Sequence, residues 1–375
     1  MSNSLPTPYG TRITRLREAL QELNVDCLVV SSRENVRYLI GFTGSSGWVL
    51  VSPSDVTLAT DSRYIERARH DLGEDVAHLT SDLRSFVASY VSSHAVGTLG
   101  FEADHLPFSV ATALQDQVAD VDARCEVWPT EGVVENLRMV KDADEIAAME
   151  KAAELSDGAI AHARGVMRPG MTEGELAWEV ERWMREHGSG SMPFDVIVAF
   201  GPDASLPHAT PGNRRLAEGE PIVIDLGARW EGYCSDLTRT LFLGYMAPPF
   251  DAVYGTVLAA HMAALSGARC GMRGAEVDEL ARATIRAAGL ADSFTHGLGH
   301  GVGLEVHEKP AINSRSNDVI CDGVVFTIEP GVYLPGQGGV RIEDTVVMRD
   351  GKPQSFSRSD KEGPIITVHA GPRGA

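Results

Sequence analysis

Three features of this sequence predict an α/β fold built from two domains. Its 375 residues exceed the roughly 150 of an ordinary domain. Short apolar runs alternate with amphipathic stretches through the first third, the mark of mixed strands and helices. The remainder carries an internal repeat with a period of roughly a hundred residues, which points to two related halves. A chain that is 43% apolar and 23% charged, with its glycines and prolines dispersed, is neither fibrous nor of low complexity. A formal charge of −19 repels phosphate backbones and anionic lipid surfaces, so neither nucleic acid nor a membrane is expected as a partner. Five cysteines (Cys27, Cys125, Cys234, Cys270, Cys321) without paired short spacing indicate neither a disulfide framework nor a thiolate zinc site. With no signal-like stretch in MSNSLPTPYGTR and no membrane span, the expectation is a cytoplasmic protein.

Taken in order, residues 11–24 read as an amphipathic helix and CLVVSS (27–32) as a strand, followed by strand-like WVLVS (48–52) and VTLAT (56–60). Asp61 stands where a helix N-cap belongs, before SRYIERARH. TLGFE (98–102) reads as a strand and residues 108–119 as a helix. Pro129 and Gly132 interrupt the pattern across 125–141, after which KDADEIAAMEKAAELSDGAIAHARGVM opens a long helix. The domain boundary is accordingly placed near 138, giving domains 1–137 and 138–375.

The repeat lies in the second domain. GMTEGELAWEVERWMREHG (170–188) aligns without a gap on GMRGAEVDELARATIRAAG (271–289), each a helix closed by glycine. A histidine follows each copy, His208 and His307. A strand-like run holding an acid comes next, Asp225 in VIDLG and Glu329 in VVFTIEPG, and then a second acid, Asp236 and Glu343. Four features in the same order imply two α/β halves related by a pseudo-twofold, with acids converging from both.

Carboxylates in apolar strands are costly without a cation, so four of them in repeat-related positions point to divalent metal. His300, between glycines in HGLGHGVGLEVHEKP (296–310), supplies a nitrogen ligand, whereas His296 reads as a core or orienting histidine. Four carboxylates and one imidazole suit two divalent ions, the arrangement by which hydrolases activate water. Oxygen-rich ligation without thiolate favours Mn²⁺ and leaves Co²⁺ and Zn²⁺ open. Neither G-x-S-x-G nor H-E-x-x-H occurs, which removes support for serine-hydrolase and zincin readings.

SLPHATPG (205–212), IDLGARWEGYCSDLTRT (224–240), HGLGHGVGLEVHEKP (296–310) and TIEPGVYLPGQGGVRIEDT (327–345) resemble the pita-bread metallopeptidases. Within that creatinase and methionine-aminopeptidase superfamily they resemble the Xaa-Pro aminopeptidase and prolidase group. NVRYLIGFTGSSG (35–47) and LATDSRY (58–64) resemble the creatinase-like N-terminal domain, so the likeness covers nearly the whole chain. It implies a creatinase-like domain followed by a pita-bread catalytic domain. It also implies that Asp225 and Asp236 bind one metal, that His300 and Glu329 bind the other, and that Asp236 and Glu343 bridge them. Glu329 would further serve as general base and then acid, and His208 and His307 would donate hydrogen bonds around the scissile carbonyl. Arg341 would contact substrate or act as an ion-pair partner beside the bridging acid.

The expected substrates are small peptides with proline second. The expected assembly is a homodimer or higher homo-oligomer, in which the N-terminal domain helps wall the active site. The aminopeptidase reading is favoured over the dipeptidase (prolidase) reading on the compact N-terminal domain and YLPGQGGVRIED. A non-catalytic binding protein is the third reading.

Overall fold

The structure, a computed structural model, describes residues 8–367, which divide into two compact units between Arg138 and Met139. The first contains α1 (Tyr9–Leu23), β1 (Cys27–Val30), α2 (Arg33–Ile40), β2 (Gly47–Val51), β3 (Val56–Thr60) and α3 (Ile65–Leu72). It continues through β4 (Ala77–Leu79), α4 (Leu83–His94), β5 (Thr98–Glu102), α5 (Phe108–Val121), β6 (Glu126–Thr130) and α6 (Val133–Arg138). The strands form one mixed sheet in the order β4-β3-β2-β1-β5-β6.

Two local expectations change here. Asp61 caps a turn, accepting from the Arg63 backbone N–H at 2.9 Å, and the helix starts only at Ile65. The interrupted stretch after Cys125 holds strand β6, which tolerates Pro129 because it is the sheet's edge and leaves one side of its backbone unpaired.

The second unit opens with α7 (Ala143–Val166), started by Asp142 and Glu145 as a reciprocal capping box. There follow α8 (Glu173–Glu186), β7 (Ile197–Phe200), β8 (Pro221–Leu226), β9 (Arg229–Trp230), β10 (Tyr233–Cys234), β11 (Leu237–Leu243), α9 (Phe250–Gly267) and α10 (Gly274–Ala287). The chain goes on through β12 (Gly299–Gly301), β13 (Glu308–Ile312), β14 (Val325–Ile328), β15 (Gly331–Leu334), β16 (Gly338–Arg341), β17 (Asp344–Arg349), β18 (Lys352–Ser355) and β19 (Ile365–Ile366).

The sequence repeat becomes a structural one. Antiparallel β7-β8-β11 carries α7 and α8, and antiparallel β12-β14-β17 carries α9 and α10. Each half buries its own core. Ile222, Ile224 and Leu226 meet Leu176 and Val180 in one; Phe326 and Ile328 meet Val277 and Ile285 in the other. The two helices of the aligned segments begin alike: Glu175 accepts from the Thr172 N–H and Glu276 from the Arg273 N–H, both at 2.8 Å. Only the first has the reciprocal cap, since a threonine hydroxyl can accept from the third helical N–H and a guanidinium cannot. No helix among the described residues is long and apolar enough to cross a membrane.

Candidate active site and metal centre

Strand alternation decides which side chains leave the helix-packed cores. With Ile224 and Leu226 facing α7 and α8, Asp225 points to the other face of its sheet. With Phe326 and Ile328 facing α9 and α10, Thr327 and Glu329 do likewise. The sequence sets all four acids in strand-like surroundings and leads to the expectation that Asp225 and Glu329 lie inside strands. Asp225 does, but Glu329 directly follows β14, Asp236 directly precedes β11 and Glu343 directly precedes β17. A strand end frees the side chain from the cross-strand neighbours that would crowd it, and it is there that these three turn inward.

Asp225, Asp236, His300, Glu329 and Glu343 line one cleft of about 560 Å³, together with His208, His296, His307, Tyr333 and Arg341. Ligand atoms of Asp236, His300 and Glu343 lie within 4.8 Å of one another. His300 Nε2 is 3.4 Å from Glu329 Oε1 and 3.6 Å from Asp236 Oδ2. Its Nδ1 is 3.0 Å from the Gly301 carbonyl, which can only accept, so that nitrogen carries the proton and Nε2 presents a lone pair to the carboxylates. The glycines beside it are required by close approach. A Cβ on Gly299 would meet the Thr327 carbonyl, and one on Gly301 the Lys309 carbonyl.

The carboxylates strain against one another. Burial, then repulsion from Glu343, Asp225 and Glu329, pushes Asp236 well above the usual carboxylate range. Burial, then Glu329 and Asp225, does the same to Glu343, whose Oε2 accepts from the Thr238 hydroxyl at 2.6 Å. Glu329 is raised chiefly by burial, against the opposing fields of His296 and Arg341. Asp225 Oδ1 is buried without any hydrogen-bond partner. Among the described residues lining the cleft, Arg341 alone is an arginine or lysine. An orphaned carboxylate oxygen, carboxyls raised by burial and then by their neighbours, and an imidazole nitrogen turned to those carboxyls are the donor set that a divalent cation satisfies, and the residues fit one.

Arg341 is 3% exposed and its donors are engaged by the protein: Asp225 Oδ2 at 2.6 Å, the Tyr333 hydroxyl at 2.8 Å, the Pro207 carbonyl at 3.2 Å and Thr238 Oγ1 at 3.1 Å. His296 donates from Nδ1 to the Gly297 carbonyl at 2.7 Å and accepts at Nε2 from Tyr333, 3.0 Å away. Arg341 thus donates both to Asp225 and to Tyr333, and Tyr333 passes the donation on to His296. His208 and His307 are exposed on the cleft wall, and the His307 ring centroid lies 4.2 Å from that of His300. Partial desolvation of the ring against the cleft wall, then the neighbouring imidazoles His300 and His208, lowers the His307 pKa.

Sequence reasoning missed Tyr333, Thr238 and Thr327. The signal was available for the threonines. A hydroxyl in DLTRT or VFTIE, two residues from an expected ligand, shares that ligand's face of the strand.

The sequence profile of metallopeptidase family M24 matches residues 147–350, and that of the creatinase/prolidase N-terminal domain matches residues 12–140. The structure of an Xaa-Pro dipeptidase from Bacillus anthracis superposes with a TM-score of 0.90 at 36% identity, covering 95% of this chain and 99% of that one. An X-Pro aminopeptidase from Thermotoga maritima gives 0.84 at 33% identity, covering 94% and 100%. An Xaa-Pro dipeptidase from Pyrococcus furiosus is 33% identical over 94% of this chain and 99% of its own. Fold, cleft and profile agree: the chain belongs to metallopeptidase family M24, with a creatinase/prolidase-type N-terminal domain ahead of the catalytic one.

Proposed function

We propose that this metallopeptidase hydrolyses the bond between an N-terminal residue and a following proline, using two divalent ions. The observation that carries this reading is the convergence of five side chains, Asp225, Asp236, His300, Glu329 and Glu343, in one cleft, with an Asp225 oxygen left without a hydrogen-bond partner and His300 Nε2 turned to the carboxylates. Asp225 and Asp236 would hold one ion, His300 and Glu329 the other, with Asp236 and Glu343 shared. Bound ions supply Lewis acidity to the peptide carbonyl and to water, and the oxygen-rich donor set favours Mn²⁺ over Co²⁺ or Zn²⁺.

The chain's own groups do the rest. Glu329 accepts the proton of the attacking water and delivers it to the departing prolyl nitrogen, a task suited to a carboxyl whose pKa burial has raised. His208 and His307, on the wall, donate to the carbonyl oxygen as its charge grows and steady the residue that follows. Arg341 holds Asp225, and Tyr333 locks the guanidinium. An Xaa-Pro bond is a tertiary amide with no N–H, so it cannot be read through a backbone donor. A site that grips the carbonyl and the free amine does not need that donor.

The similar proteins bear both the dipeptidase and the aminopeptidase name. We favour the aminopeptidase reading on the compact N-terminal domain and the YLPGQGGVRIED stretch. A cytoplasmic homodimer or higher oligomer acting on small peptides completes the proposal. The test is product analysis with Mn²⁺ on Xaa-Pro, Xaa-Pro-Yaa and Xaa-Pro amide. An aminopeptidase tolerates extension and amidation; rejection of both makes the chain a dipeptidase, and cleavage of none rejects the proposal.

A further inference from the structure

Strand alternation that turns Glu343 to the cleft sends its neighbour Asp344 the other way, toward α9. There the Asp344 side chain is fully buried among two cations and a histidine from three places in the chain. Arg239, on β11 three residues past Asp236, donates from Nη2 to Asp344 Oδ1 at 2.7 Å, and its Nη1 reaches the Glu343 carbonyl at 2.5 Å. Lys361 pairs with Asp344 Oδ2, and His261 of α9 lies 3.5 Å from the same oxygen. Burial keeps His261 neutral near pH 7, its pKa pushed down to about 4, which leaves Arg239 and Lys361 as the charged partners.

Lys361 arrives on the segment that follows β18. This segment leaves the second half's sheet and turns at Ser357–Ser359, where Asp157 of α7 accepts from the Ser357 hydroxyl and from the N–H groups of Arg358 and Ser359. It passes under Tyr254, whose hydroxyl donates to the Lys361 carbonyl at 2.7 Å. It then adds β19 in parallel to β11, at the edge of the first half's sheet. The segment therefore straps one half to the other: its Ser359 carbonyl accepts from Arg239 at 2.8 Å, and its Lys361 ion-pairs with the residue next to Glu343.

We propose that residues 356–366 are a strap that sets the spacing between Asp236 and Glu343, with Lys361 as its positioning residue. Arg239 links the two acids from the first half and Lys361 pins the second, so that metal affinity depends on a lysine that touches no ligand. The inference rests on the reading of Asp236 and Glu343 as ligands.

The test is titration of the metal-free protein with Mn²⁺, together with the visible spectrum of the Co²⁺-loaded form, for Lys361→Met, Lys361→Arg and, as control on the same strap, exposed Glu362→Gln. Lys361→Met should weaken Mn²⁺ binding about tenfold or more and alter the Co²⁺ bands, with kcat falling more than KM changes. Lys361→Arg should recover most of that affinity, and Glu362→Gln should match the parent. A folded Lys361→Met protein with parental affinity and spectrum overturns the proposal. If Lys361→Met does not fold, Asp157→Asn loosens the strap at its turn without altering Asp344, and unchanged Mn²⁺ affinity there overturns it equally. Parental Mn²⁺ binding by Glu343→Gln would instead refute the ligand assignment, a separate failure.

Discussion

The Arg341 guanidinium lies 2.6 Å from one oxygen of Asp225, while the other oxygen of that carboxylate is buried without a partner. The pair shows how the site is held. One oxygen is anchored by a fixed protein cation, so the carboxylate cannot rotate and the second is kept directed at the cleft. Lysine offers a point charge and cannot make the contacts to Asp225, Tyr333, Pro207 and Thr238 together. Arg341→Lys should therefore lower kcat/KM by about a hundredfold, or about 2.7 kcal/mol, with metal still bound. Turnover within threefold of the parent would show that a simple charge suffices.

Thr238 is the second anchor, donating to Glu343 Oε2 at 2.6 Å and accepting from Arg341 Nε at 3.1 Å. Thr238→Val keeps the shape and removes both bonds in a fully buried place, for a stability cost of about 1–3 kcal/mol. Denaturant unfolding of the metal-free variant should show that loss, and kcat should fall about tenfold as Glu343 gains freedom.

His208 separates binding of metal from catalysis. Replacing it with Ala should leave metal content unchanged and reduce kcat by about a hundredfold, the usual cost of losing a donor to developing charge. Metal analysis beside steady-state kinetics decides it: a parallel loss of metal would make His208 a ligand.

His261 gives the stability a pH dependence. Burial lowers its pKa from 6.5 to about 4, so the folded protein keeps the ring neutral where the unfolded chain protonates it. The stabilisation is full above the unfolded value and is lost as pH falls toward the folded one, amounting to about 3 kcal/mol across that window. Neither ring nitrogen has a hydrogen-bond partner, so His261→Leu sacrifices little at pH 7. Unfolding free energies of parent and variant should differ progressively in the variant's favour between pH 6.5 and pH 4. Parallel curves would contradict the assignment.

The convergence of the four carboxylates in one cleft was legible because acids set in apolar runs, and repeated in the same order, are too costly to bury unless a cation compensates them, whereas His300 was singled out through the resemblance carried by its glycine-rich run. The same repeat made the two-half architecture legible, and β7-β8-β11 and β12-β14-β17 are its structural form. Tyr333, Arg239 and Lys361 were not legible. Each acts through a partner distant in sequence, and a lysine in SRSDKEGP reads from sequence as a solvated loop residue. Its pairing with Asp344 depends on the strap's path back to β11, which local pattern does not encode.

Metal stoichiometry of Asp236→Asn tests the account most directly. The substitution keeps size and removes the charge of a carboxylate that both ions are proposed to share. The parent protein, loaded with Mn²⁺ and freed of excess, should hold about two ions per chain. Asp236→Asn should hold fewer than about one and lose activity on Xaa-Pro peptides by at least a thousandfold, with its circular dichroism unchanged. Two tightly bound ions and near-parental turnover in the variant would contradict the cluster assigned here.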